Sequence, residues 1–124
     1  MTTQEIMTTE EIAKDFYALA QQGKWNEIID KYFSADAESR EPATAVGLPS
    51  VKGIDKIKGK GKQWEEMIEE VYGGYCHEPT VVGNHFACAM GVDLKMKGRD
   101  REKMDELAVY QVRDGKIVLE QFFY

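Results

Sequence analysis

Asp114-Gly115 divides two runs of β-forming residues, Leu107-Ala108-Val109-Tyr110-Gln111-Val112 before it and Ile117-Val118-Leu119-Glu120-Gln121-Phe122-Phe123-Tyr124 after it. An Asp-Gly step between such runs is the strongest short-range hairpin signal, because both residues tolerate the left-handed backbone of a tight two-residue turn. The last fifty residues read as strands, and the first seventy as helices around one short acidic segment. Helices followed by antiparallel strands predict an α+β domain in which a curved sheet wraps around the N-terminal helices. That arrangement leaves a pocket, where a function would sit.

Residues Met1–Met7 read as a loosely held tail. Thr8 can then cap a helix, with Glu11 placed to complete a capping box. Ile12, Phe16, Leu19 and Ala20 give that helix one apolar face, and Gly23 ends it. A second helix carries Trp25, Ile28, Ile29 and Phe33 as its inner stripe. Ala37–Glu41 reads as a short strand stopped by Pro42, and Ala43–Lys52 as loop. A third helix is expected from Gly53 to about Val71, on the period of Ile54, Ile57, Trp64, Met67, Ile68 and Val71, with Gly73-Gly74 breaking it. Then come a strand from about Tyr75 to Val82, a Gly83-Asn84 turn, a strand from His85 to Met96, a connection near Gly98–Lys103, and the final hairpin. No internal repeat or linker divides the chain, which reads as one domain over 1–124.

The strand from His85 onward has two distinct faces. Phe86, Cys88, Met90, Val92, Leu94 and Met96 form an apolar face that lines the interior. His85, Ala87, Ala89, Gly91, Asp93, Lys95 and Lys97 form the other, small in the middle and charged at one end. Small residues on an outer sheet face let a second sheet approach, so a homodimer through this face is one expectation. A sparsely covered solvent face is the other.

A net charge of −6 argues against a nucleic-acid or anionic-membrane surface. No apolar stretch reaches the ~20 residues that span a bilayer, and no basic-then-apolar leader is visible, so a cytoplasmic location is expected. Cys76, Cys88, His77 and His85 have neither CxxC nor HxxxH spacing, which disfavours a metal centre; reduced thiols are expected.

The order helix, helix, short acidic strand, helix, long antiparallel meander resembles the nuclear-transport-factor-2-like superfamily, and within it SnoaL-like proteins and ketosteroid isomerase. The resemblance runs from about Glu10 to Tyr124. It is carried by Trp25–Phe33 leading into Ser34-Ala35-Asp36-Ala37, by Gly53-Ile54-Asp55-Lys56-Ile57, and by Tyr110-Gln111-Val112-Arg113-Asp114-Gly115-Lys116-Ile117-Val118. It implies a cone with an apolar cavity, and it leaves the reaction open, since the superfamily includes isomerases, dehydratases, cyclases, epoxide hydrolases and non-catalytic proteins.

The resemblance also implies site residues. The isomerase's general-base carboxylate follows the second helix just ahead of a proline, the position of Glu41 here. Its oxyanion tyrosine corresponds to Phe16, with Tyr17 one step around the helix, and its protonated acid corresponds to Ala108. Both oxyanion donors are missing, and losing one typically costs ~100-fold or more in rate. Steroid isomerisation is therefore disfavoured.

If Ala108 faces inward, so do Glu106, Tyr110 and Val112, and on the last strand Glu120, Phe122 and Tyr124. Glu41, Glu106 and Glu120 would then converge and raise one another's pKa. The alternative leaves Glu106 at a wet strand end and Glu120 paired with a lysine. A two-residue turn at Gly83-Asn84 would pair His77 with Met90 on the inner face, unless Pro79 introduces a bulge. His77 is accordingly an acid–base candidate or a rim residue. Phe16, Trp64, Met67, Phe86, Met90 and Tyr110 would form the apolar wall, with Tyr17, Cys88 and Phe122 beside them. Lys56, Lys58, Lys60 and Lys62 read as a solvated helix face or an anion-attracting lip; no phosphate-loop pattern is present.

Two functions follow. One is a cofactor-independent isomerase, dehydratase or cyclase using Glu41, assisted by His77, Glu120 or Tyr124, on an apolar carbonyl compound. The other is a non-catalytic ligand-binding or dimeric interaction domain of the same fold.

Overall fold

The computed structural model describes residues 6–45 and 48–124. The elements are α1 (Thr9–Gln21), α2 (Trp25–Tyr32), β1 (Phe33–Arg40), β2 (Val51–Lys52), α3 (Ile54–Met67), β3 (Ile68–Cys76), β4 (Thr80–Val82), β5 (His85–Met96), β6 (Arg101–Arg113) and β7 (Lys116–Phe123). Together they make an α+β domain with a curved, unclosed seven-stranded sheet in the order β2-β1-β7-β6-β5-β3, with β4 also on β5. Only β1 and β7 run parallel. Among the described residues, no helix is long and apolar enough to cross a membrane.

Local chemistry sets the helix starts. Thr8 Oγ1 accepts from the Glu11 backbone at 3.2 Å, and Glu11 Oε1 accepts from the Thr8 backbone at 3.0 Å, the reciprocal capping box that α1 was expected to carry. Ile12, Ala13, Phe16, Leu19 and Ala20 are its buried face. Ile6, in the expected tail, lies against the β6–β7 turn, where a Cβ on Gly115 would meet its Cγ2 at 2.5 Å. The rest of the tail, Met1 to Glu5, falls outside the described residues.

Several boundaries differ from expectation. The third helix stops at Met67, and Ile68 and Val71 pair with Met96 and Leu94 as part of β3. Apolar residues three apart fit either period, and the open edge of β5 captures these β-branched ones. Gly73-Gly74 breaks no helix; a Cβ on Gly74 would sit 3.0 Å from the Gly91 carbonyl oxygen, so glycine there permits close strand approach. The expected Tyr75–Val82 strand is split, because Pro79 offers no ladder N–H. Phe33 opens β1 rather than extending α2, and β1 begins four residues earlier than expected. The expected loop over 43–52 contains β2, and its Val46 and Gly47 are outside the described residues. β6 starts at Arg101, inside the expected connection.

Both turns form as read. Asp114 and Gly115 have φ of 51° and 75° and join β6 to β7, and Val82 pairs with His85 across Gly83-Asn84. Beyond the first turn, however, β7 does not follow a straight ladder. Val112 pairs with Ile117, yet Gln111 pairs with Leu119 and Tyr110 with Glu120. Val118 is an extra residue, a β-bulge that switches which side chains face in. Had the ladder continued without a bulge, Leu119 would lie opposite Tyr110.

The core forms where the inner face of β5 and β6 meets α1 and α2. Phe86, Cys88, Met90, Leu94 and Met96 are buried on β5, as the alternation predicted, with Ala108, Tyr110 and Val112 on β6. Phe16 packs on Phe86 and Tyr110 at ring separations of 5.2 and 4.7 Å, and Phe86 stacks on Tyr110 at 4.9 Å. These rings fill the part of the interior nearest α1.

Candidate functional site

The polar part of the interior lies at β1, β7 and α3. On β1, Ala37 and Ser39 alternate inward and are fully buried, and Glu41 continues that period just past the strand end. Its backbone N–H donates to Ser50 Oγ at 2.9 Å, which fixes the chain ahead of Pro42. On α3, Ile57, Lys60, Trp64 and Met67 share one face at helical spacing; the first two are buried, the others half-buried.

Lys60 is the centre of the site. Its ammonium donates to Ser39 Oγ at 2.7 Å and to Glu41 Oε1 at 3.2 Å, and lies 5.5 Å from the centre of the Phe122 ring. The side chains of Lys60 and Glu41 are only 8% and 7% exposed. Tyr124 completes the set: its hydroxyl donates to Glu41 Oε2 at 3.0 Å. Both carboxylate oxygens of Glu41 are thus held.

Two more acids come within electrostatic reach. Glu106, opposite Met90 on β6, is half-buried rather than at a wet strand end. Desolvation first, then the charge of Glu41, push its carboxyl up to about 7, and Lys60 opposes the rise. Glu120 faces inward because of the Val118 bulge, with Ser39 on one side and Tyr110 on the other. Burial pushes it up to about 8; Lys60 pulls it down, while Glu106 and Glu41 add to the rise. Burial and the bond to Glu41 raise Tyr124 to about 12. Along the strand direction, Glu106 and the residue opposite Glu120 are four residues, about 14 Å, apart. The fully buried Ala108 lies between these two positions on the inner face of β6, and both acids feel the charge of Lys60. Among the described residues no three acids, cysteines or histidines are grouped to hold a metal ion; the ammonium of Lys60 is the cation of this cluster.

His77 is elsewhere. A one-residue slip in the ladder makes Cys76, not His77, the partner of Met90. The imidazole is exposed and packs on the Tyr75 ring at 4.6 Å, on the side of the sheet away from Glu41. Pro79 accounts for the slip, since the chain cannot continue the ladder through it. Phe16, Phe86 and Tyr110 belong to the aromatic knot beside α1, and Tyr17 is half-buried one step around that helix. Of the lysine run, Lys58 pairs with Asp30, Lys56 and Lys62 are exposed, and Lys60 turns inward, against the solvated-face reading. Lys60 and Ser39 were missed. Their signal was present in the spacing, since a lysine interrupts the apolar stripe of α3 and a serine alternates with Ala37 and Glu41.

Two surface concavities, of about 600 and 300 Å³, lie away from these residues, one at the β5–β6 turn and one beside Tyr32 and Gly115. Glu106 and Glu120 are half-buried beside the buried Lys60, Ser39 and Glu41 side chains.

The SnoaL-like domain family model matches residues 7–124. The chain belongs to the SnoaL-like family. A proposed SnoaL-like polyketide cyclase from Mesorhizobium loti, also labelled a carbohydrate phosphatase, is 37% identical, covers 95% of this chain and 100% of its own, and superposes with a TM-score of 0.87. An NTF2-like protein from Burkholderia thailandensis (17% identity, 95% and 91% coverage, TM-score 0.78) shares the fold with this SnoaL-like chain. So does a protein with a ketosteroid isomerase-like fold from Catenulispora acidiphila, solved with trimethylamine (21% identity, 94% and 87% coverage, TM-score 0.70). No curated protein matches the SnoaL-like sequence.

Proposed function

We propose that this SnoaL-like protein moves a proton on an apolar, carbonyl-bearing small molecule, as an isomerase, dehydratase or cyclase that needs no cofactor. The observation that carries the reading is the placement of Glu106 and Glu120 on the inner face of β6 and β7, within electrostatic reach of the buried Lys60–Glu41 pair, where burial pushes their carboxyls up to about 7 and about 8. Proton carriers work best when their pKa lies near the working pH. Near neutrality Glu106 is close to half-ionised and takes a proton from the carbon beside the carbonyl. Glu120 keeps its proton and donates to the carbonyl oxygen as negative charge develops there. Glu41 was expected to be the base; held by Lys60 and Tyr124, it is assigned here to fix the charge and position of the ammonium.

Deuterium exchange tests the proposal without knowledge of the product. Cyclic monoketones of graded size are incubated with the protein in heavy water, and C–H loss is followed by NMR. Catalysed exchange that falls ~100-fold in Glu106→Gln supports the reading. Binding of a ketone with no exchange above the buffer rate supports the non-catalytic alternative.

The partner we propose is a second copy of the chain on the outer sheet face. Leu107 and Phe123 are 42% and 49% exposed there, next to one another in the ladder and beside Ala89. Tyr75 covers Gly91 on the same face, where a Cβ would meet its ring at 2.5 Å. An apolar patch over small residues suits flat sheet-on-sheet contact.

A further inference from the structure

The slip in the ladder beside β5 has a chemical consequence for the two cysteines. Thr80 pairs with Ala87, but Cys76 pairs with Met90, so His77, Glu78 and Pro79 stand against only Cys88 and Ala89. The His77 N–H donates to the Ala89 carbonyl at 2.8 Å, which closes the bulge on the outer side. On the inner side Cys88 has no ladder partner from this edge, and Cys76 is its diagonal neighbour on the same face. This register sets the two thiols side by side on the inner face, and the Cys76 thiol donates to the His77 carbonyl at 3.8 Å. Cys88 is fully buried between Phe86 and Met90, while Cys76 is half-buried at the end of β3.

We propose that Cys76 and Cys88 are a dithiol site that a hydroperoxide oxidises to an intramolecular disulfide. Exposure sets the order of events. The Cys76 thiolate attacks one oxygen of the hydroperoxide, the O–O bond breaks, and the departing oxygen leaves as water or an alcohol after taking a proton. Cys76 is then a sulfenic acid. The Cys88 sulfur displaces its hydroxyl, the thiol proton leaves with that hydroxyl as water, and the S–S bond forms. Two thiols lose two electrons and the peroxide gains two. The neighbouring Cys88 thiol lowers the pKa of Cys76, which favours the attacking thiolate on the more exposed sulfur. Diagonal strand neighbours need a small backbone adjustment to reach bonding distance. The bulge provides it, because its extra residue is tied to the ladder by one hydrogen bond. The disulfide closes the 76–88 loop and pins the sheet edge next to Met90, whose ladder partner is Glu106.

The test treats the reduced protein with one equivalent of hydrogen peroxide, with dimedone present to trap sulfenic acid, and maps peptides without reduction. The expected product is the monomer lighter by two hydrogen atoms, with Cys76 linked to Cys88 and no dimedone adduct. Cys88→Ala then accumulates dimedone on Cys76, and in Cys76→Ala the remaining Cys88 reacts about tenfold or more slowly. Dimedone-labelled or over-oxidised Cys76 beside a free Cys88 in the unsubstituted protein overturns the proposal, as does cross-linking between chains. The decisive readout needs no variant, so a substitution that fails to fold does not shield it.

Discussion

The Lys60 ammonium lies 3.2 Å from Glu41 Oε1, and neither side chain has more than a trace of solvent contact. Removing one member of such a pair leaves the other charge buried, a loss of about 3 kcal/mol or more. Here the consequence is larger on one side than the other. Lys60→Met strands Glu41 and also removes the cation that favours ionisation of Glu106 and Glu120. Lys60→Met is expected to destabilise by about 3 kcal/mol at pH 8 and by clearly less at pH 5, where Glu106 and Glu120 hold their protons. Denaturant midpoints at the two pH values measure this, and an equal loss at both contradicts it.

Glu120→Gln is expected to stabilise the protein in alkaline solution. The folded carboxyl is raised to about 8 from the ordinary 4.5 of an exposed glutamate. The stability associated with its proton is complete below pH 4.5 and is lost as pH rises to about 8. An amide that cannot ionise escapes that loss, so the variant gains about 2 kcal/mol or more at pH 9 relative to its effect at pH 4.5. Thermal melts at both pH values decide it; a pH-independent difference means that Glu120 titrates normally.

Deleting Val118 is expected to be tolerated. In a regular strand a one-residue deletion reverses every later side chain. Val118 is the surplus residue, so its removal leaves Ile117 opposite Val112, Leu119 opposite Gln111 and Glu120 opposite Tyr110. The shortened chain should fold and retain a Glu120 that titrates near 8 by carbon-detected NMR. A Glu120 returned to the ordinary carboxylate range would show that it had turned outward.

Leu107→Glu tests the outer face. Sedimentation of the unsubstituted protein at micromolar concentration should report a dimer, and the variant a monomer, because a carboxylate at the centre of an apolar contact cannot be paired there. Leu107 is 42% exposed in the single chain, so its loss removes little from the core. A monomer before substitution removes the dimer.

The relation between residues and outcome differs from one element to the next. Thr8 and Glu11 are three residues apart, and a capping box needs nothing beyond that separation, so the start of α1 was legible. The faces of β5 were equally plain, since one strand's alternation is a property of its own backbone. The end of α3 was not. Ile68 and Val71 satisfy a helical and an extended pattern alike, and the exposed edge of β5, supplied by residues 90–96, chose between them. The two alternatives for His77 stayed open for a related reason, because its face depends on a slip at Pro79 that is settled by the whole ladder.

The sequence by itself determined the fold class, the hairpins at Gly83-Asn84 and Asp114-Gly115, and the inward rows of β5 and β6. These rest on short-range periodicity and on backbone angles open to few residues. Only the tertiary structure decided that Lys60 leaves the run of lysines to meet Ser39 and Glu41, that a bulge at Val118 interrupts the ladder on the way to the inward Glu120, and that Cys76 comes to lie beside Cys88. Each of these depends on register between segments tens of residues apart. Register is set by the combined fit of whole strands and helices, so no local stretch of the chain encodes it.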